Sequence, residues 1–272
     1  MSPRVVSRSV HVVLLCAASV LCSFAACGVT PGRSATVEVQ ARAIAEAGER
    51  DPLEFTTATG WRVTLREARV ALGPLFVFGA RDAVAQLRGA LLPVARAHGG
   101  EGLFSMRPVL AELSGQRLVD LSEGVTSLGV AHGSEGIAVD LTLLLDAPRG
   151  ALGAAEGPLR GHHLWVAGVA RRDSDELPFE GGLDIPDEGT LRHVEGLALD
   201  ALVEDGGRIE IGIHPRRWLD AAHFERLPLP IALGAPRVIT SASQVRGALY
   251  LGARSADAFS LSWSEPHDQG AL

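Results

Sequence analysis

The sequence has 272 residues and a formal net charge of −7 at pH 7, and its 25 basic side chains are all arginine, with no lysine and no asparagine. Without lysine there is no P-loop, no kinase strand lysine, no pyridoxal Schiff base and no S-x-x-K hydrolase; without asparagine there is no N-x-[ST] glycosylation. The heavy use of Arg, Ala and Gly reads as translation of a GC-rich genome, which makes the missing lysine a codon bias before it is an adaptation.

The chain opens with Arg4 and Arg8 and then an apolar run from Val12 to Phe24. That run is shorter than the roughly 20 residues a bilayer crossing needs, and it fits the h-region of a secretory signal. Phe24-Ala25-Ala26-Cys27-Gly28 follows at once. These residues resemble a bacterial lipoprotein signal, in which a large apolar residue, usually leucine where Phe24 stands, and two small ones precede a cysteine. The resemblance implies that residues 1–26 are a leader cut before Cys27, that the Cys27 thiol carries a diacylglyceride, and that the new N-terminus is acylated, for example with palmitate. Cutting after Ala25 by the ordinary signal peptidase and an uncleaved anchor are the alternatives. Residues 27–34 then form a lipidated N-terminus with a short Gly/Pro/Ser tether, and residues 35–272 a single β-rich domain, with two possible halves meeting near 147–161. Gly28 after the cysteine, in place of aspartate, matches outer-membrane sorting by analogy with enteric bacteria, so the expected location in the cell envelope is the outer membrane, with the inner membrane as the alternative.

Cys16, Cys22 and Cys27 all lie in the leader or at its cut. The mature chain therefore makes no internal disulfide and no Cys-ligated zinc or iron–sulfur site. Losing Arg4 and Arg8 takes the formal charge from −7 to −9. Such a surface repels nucleic acid and anionic head groups, which leaves the bilayer contact to the lipid.

Beyond the tether the dominant period is two. Val37, Val39 and Ala41 alternate with Glu38, Gln40 and Arg42. Trp61, Val63 and Leu65 alternate likewise, and the phase then slips to Ala68, Val70 and Leu72, which predicts a bulge near Arg66 and Glu67. Ile137 to Leu145 predicts a strand with Ile137, Val139, Leu141, Leu143 and Leu145 on one face, and Ile209, Ile211 and Ile213, and Phe259, Leu261 and Trp263, predict two more. Strands with one wet face favour antiparallel sheets. Helical signals are fewer: Asp82 as a cap for Val84, Leu87 and Leu91; Pro215 in the first turn of a short segment through Trp218; and Ser243 as a cap for Val245, Ala248 and Leu249. The fold class is mainly β, an antiparallel β-sandwich with a few short helices. Trp61, Trp165, Trp218 and Trp263 read as packing residues.

Three constellations could carry chemistry. Asp173 to Glu188 holds seven carboxylates and no base, among them Asp173, Asp175 and Glu176. Oxygen-rich loops suit Ca²⁺, but the spacing completes no calcium loop, and a solvated hairpin explains the acids as well. The hexapeptide A-H-G-[GS]-E-G occurs at 97–102 and again at 131–136. His98 with Glu101 and His132 with Glu135 could converge on Zn²⁺ or Cu²⁺; two ordinary Gly-rich turns are the plainer reading. His162 and His163 are adjacent, so on a strand they would leave opposite faces and serve no common site, and His214 falls on an exposed polar phase.

A nucleophile elbow, an H-E-x-x-H helix and a dinucleotide loop are all missing from the sequence. A dispersed acid pair for hydrolysis leaves no local signature. Val63–Phe78 and Ile209–Pro228 resemble segments of uncharacterised myxobacterial-type lipoproteins, which implies a location and no activity. The expectation is an envelope lipoprotein without enzymatic activity that binds a small ligand or a protein partner and no nucleic acid. A divalent-metal carrier and a hydrolase are the alternatives.

Overall fold

In the computed structural model, residues 33–80 and 107–266 are described. Fourteen strands succeed one another among them: β1 (Ser34–Ala43), β2 (Glu54–Thr56), β3 (Arg62–Leu72), β4 (Leu75–Gly79), β5 (Val109–Leu113), β6 (Arg117–Asp120) and β7 (Thr126–Ser134), then β8 (Gly136–Leu144), β9 (Leu164–Arg172), β10 (Asp175–Leu183), β11 (His193–Val203), β12 (Arg208–Ile213), β13 (Arg237–Val238) and β14 (Phe259–Ser264). Two short helices, α1 (Pro215–Leu219) and α2 (Gln244–Ala253), interrupt the last third. The chain is mainly β, as its period of two predicts.

The strands form an eight-stranded sheet ordered β11-β8-β4-β5-β7-β1-β12-β14 and a second sheet ordered β13-β10-β9-β3-β2, with β6 also on β3. One apolar core draws on both: Val37, Val39 and Ala41 of β1, Val63 and Leu65 of β3, and Ile209, Ile211 and Ile213 of β12 all belong to it. Each fully buried Val, Leu or Ile side chain contributes about 1.5–3 kcal/mol. The stretch 147–161 carries the chain from β8 in the first sheet to β9 in the second, and the described residues form one compact unit.

Most neighbours are antiparallel, but β1 pairs with β12, and β10 with β13, in parallel. The parallel β1–β12 pair joins segments some 170 residues apart, a relation that strand periodicity does not encode. Between β3 and β9 the register shifts at Leu65 and Glu67, the bulge that the phase slip predicts.

On β8 the expected single face breaks. Leu141 and Leu143 are buried, yet Ile137 is 65% exposed, Val139 is 36% exposed and Ala138 is buried instead. Register shifts against β4, between Phe78 and Gly79, and against β11, between Ala198 and Ala201, rotate the start of β8 by one residue. Such a slip sends a strand's apolar set to the other face.

The two described helices follow their predicted signals. Pro215 opens α1, which buries Trp218 and Leu219. Ser243 Oγ accepts the Arg246 N–H at 3.2 Å and caps α2, whose Val245, Ala248, Leu249 and Ala253 are buried. The helix expected from Asp82 lies outside the described residues.

Candidate functional site

Among the described residues, the most exposed apolar feature is the loop from Pro228 to Pro236. Its base is fixed: Leu227 is buried, Arg237 Nη1 donates to the Leu227 carbonyl at 3.0 Å, and the Ile239 N–H donates to the Glu180 carbonyl at 2.8 Å. Between those points there is no charged residue. Leu229 is 79% exposed, and Ile231 and Leu233 are exposed completely. Prolines at 228, 230 and 236 fix φ and remove backbone donors, so this segment neither extends a sheet nor turns inward as a helix. Isolated exposed leucines need no explanation, but three large aliphatic groups on one uncharged loop form a patch of the kind that marks interaction surfaces. The signal is legible afterwards in Leu-Pro-Leu-Pro-Ile-Ala-Leu between Arg226 and Arg237, which has no period to bury it.

A polar cluster lies where β9 begins. His162 and His163 precede the first residue of β9, so strand alternation does not separate them, and the expectation that they serve no common group is corrected. His162 Nδ1 is 3.0 Å from each Asp184 carboxylate oxygen, and His163 Nδ1 is 3.8 Å from Oδ1. The His162 ring stacks on Trp165 with centroids 5.8 Å apart, and the Arg160 guanidinium lies 4.1 Å from the centre of the Trp165 ring. Gly182 is required here, because a Cβ would occupy the place of the His162 ring. His163 is buried with neither ring nitrogen hydrogen-bonded; burial first, and then the nearby Arg192 charge, push its pKa below the ordinary imidazole value. Arg192 Nη1 donates to Asp146 at 2.8 Å and lies 3.3 Å from Asp187.

Asp146 also lines a cleft of about 490 Å³ with Glu112, Ser114, Gln116, Arg149 and Leu152. A second cleft, of about 660 Å³, is lined by Glu49, Arg50, Asp51, Glu54, Arg62 and Arg216. Both mix acids and arginines.

The acidic segment is spread out along a hairpin. Asp173 sits at the β9–β10 turn with φ of 55°, and Asp175 and Glu176 begin β10. Glu176 accepts from Arg171 Nε at 3.0 Å, Glu180 lies 3.5 Å from Arg160, and Asp184 and Asp187 join the polar cluster.

The second His-Gly hexapeptide is a strand through Ser134, not the expected turn, with only Glu135 at the bend. His132, exposed on β7, stands opposite Thr36 of β1 and Glu112 of β5. Gly133 is needed because a Cβ would overlap the Leu110 carbonyl oxygen. Cys27, His98 and Glu101 lie outside the described residues. Among the described residues no group of three or more His, Cys, Asp or Glu is placed to hold a metal ion. His214, expected to be exposed, is half-buried; its Nε2 is 3.1 Å from Ser260 Oγ, and burial lowers its pKa.

No protein-family model matches the sequence, and no curated protein matches it. Among solved structures, MbnP from Methylosinus trichosporium is similar with a TM-score of 0.40 and 12% sequence identity, over 86% of this chain and 99% of that one.

Proposed function

We propose that this chain is a non-catalytic binding module of the cell envelope, anchored by a lipid on Cys27 and receiving a protein partner on the loop from Pro228 to Pro236. The observation that carries the reading is the complete exposure of Ile231 and Leu233 on an ordered base. Water-exposed groups of this size gain free energy when a partner covers them.

The direction of the strands supports a division of labour between two ends. The tether enters β1 at Ser34, and β1 runs parallel to β12, from Glu38 beside Arg208 to Ala43 beside Ile213. The chain then leaves Ile213 for α1 and the apolar loop. The ten residues of β1 make nine steps of about 3.3 Å, which separate its two ends by about 30 Å. A lipid at the Ser34 end leaves the Ile213 end free to meet a partner.

Two experiments test the proposal. Cys27→Ser is expected to move the protein from the membrane to the soluble fraction; a variant that still pellets with membranes overturns the anchor. A photocrosslinker at Ile231 in intact envelopes is expected to give one discrete adduct, lost when Leu229 and Leu233 are changed to Ser. An adduct that survives those changes overturns the docking role. The paired Ser substitutions should leave stability within about 0.5 kcal/mol, because exposed side chains away from packed features contribute little.

A further inference from the structure

The anchored end carries its own apolar surface. Ile137 of β8 and Leu202 of β11 are direct cross-strand partners, 65% and 54% exposed. Ile137 is turned outward by the phase slip of β8, two residues after the β7–β8 bend at Glu135. That bend is tied to the tether: the Glu135 N–H donates to the Arg33 carbonyl at 2.8 Å. Arg33 is exposed and makes no ion pair among the described residues, so its guanidinium is available to a phosphate.

The length of chain between the lipid site and this bend limits where the pair can be. Six residue steps separate Cys27 from Arg33, and at about 3.6 Å per residue they reach no more than about 22 Å. An acyl chain on Cys27 therefore keeps Arg33 within that distance of the bilayer surface, with the Glu135 bend hydrogen-bonded beside it and the exposed Ile137, paired with Leu202, two residues further on.

We propose that Ile137 and Leu202 rest in the headgroup boundary of the membrane that holds Cys27, with Arg33 on a lipid phosphate. The proposal rests on lipidation of Cys27. One arginine beside two aliphatic groups is the chemistry of an interfacial contact, in which the apolar atoms enter the acyl boundary and the charge stays with the head groups. Glu135, Glu204 and Asp205 stand at the same end and oppose a strongly anionic surface. The lipid that fits is therefore a zwitterionic phospholipid such as phosphatidylethanolamine. The contact would stop the body from swinging on its tether and keep the distal loop facing away from the bilayer.

The test uses the mature lipidated protein in vesicles of phosphatidylethanolamine and phosphatidylcholine. Cys27 is blocked by its lipid, so a cysteine introduced as Ile137→Cys, or separately as Leu202→Cys, is the single site for an environment-sensitive fluorophore, with Leu229→Cys as the distal comparison. Both proximal reporters are expected to shift to the blue in vesicles and to lose most of their emission to lipids spin-labelled high on the acyl chain, while the Leu229 reporter does neither. Proximal reporters that stay water-exposed overturn the contact, and so do reporters already buried before vesicles are added, because protein then covers the pair. The mass of the N-terminal peptide separates the two failures: an unlipidated Cys27 overturns the anchor, and a lipidated Cys27 with unquenched reporters overturns the contact alone.

Discussion

Trp61 Nε1 donates a 3.0 Å hydrogen bond to Glu225 Oε2 across 164 residues of sequence. Trp61 is fully buried, it packs edge-to-face with Phe224 with ring centroids 5.8 Å apart, and the Arg172 guanidinium lies 4.3 Å from its centre. The bond joins the β2–β3 connection of the second sheet to the turn that precedes the apolar loop, and so fixes the base from which that loop projects.

Glu225→Ala leaves the indole N–H without an acceptor and is expected to cost about 1–3 kcal/mol. The measurement is the urea midpoint at unchanged slope. Glu225→Gln keeps an acceptor oxygen and should cost less; equal losses in the two variants would show that the bond contributes nothing.

Acid stability should depend on Asp120. Burial raises its pKa, but hydrogen bonds from Ser122 and Arg69 and the Arg69 charge outweigh that and hold it below the ordinary carboxylate value. Arg69 Nε and Ser122 Oγ each lie 2.6 Å from the carboxylate. A folded-state pKa below the unfolded one gives stability that is complete above the unfolded value, near 3.9, and lost as pH falls through the folded value. Asp120→Asn is expected to lower stability at pH 7 by about 2 kcal/mol and to flatten the decline below about pH 4. Parallel acid limbs in the two proteins would refute this.

His163 acts in a different window. Its pKa is lowered by burial, so the unfolded chain takes up the proton first as pH falls. No contribution exists while both states are neutral; stability declines from about pH 6.5 downward, until the folded imidazole also protonates. His163→Gln should remove this decline between pH 7 and pH 5. In the parent protein, NMR titration should place the His163 midpoint below the ordinary imidazole value, near 6.5.

Gly133→Ala should destabilise by about 1–3 kcal/mol, the cost of overpacking a tight site, since the new Cβ meets the backbone of Leu110. Gly124→Ala, where nothing lies within 4 Å, is strained only through its φ of +80° and should cost less. Thermal midpoints of the two variants compare crowding with strain, and equal shifts would contradict the strand assignment of the second His-Gly hexapeptide.

Local order is written in the sequence because local order is periodic. The alternation in β1 and β12, the slip at Arg66 and Glu67, Pro215 at the head of α1 and Ser243 capping α2 each depend on residues within a turn or a strand of one another. The mainly β class follows from those elements, and the expectation of a lipid on Cys27 from a five-residue pattern. Tertiary structure decided what depends on pairing between distant segments. It set the parallel β1–β12 match, put Ile137 on the water side of β8, drew the stretch around His132 into a strand, and brought His162 and His163 to Asp184. It also decided that Leu229, Ile231 and Leu233 face water, because hydrophobicity states that a side chain gains from burial, whereas only the folded surroundings determine whether a partner within the chain is there to bury it.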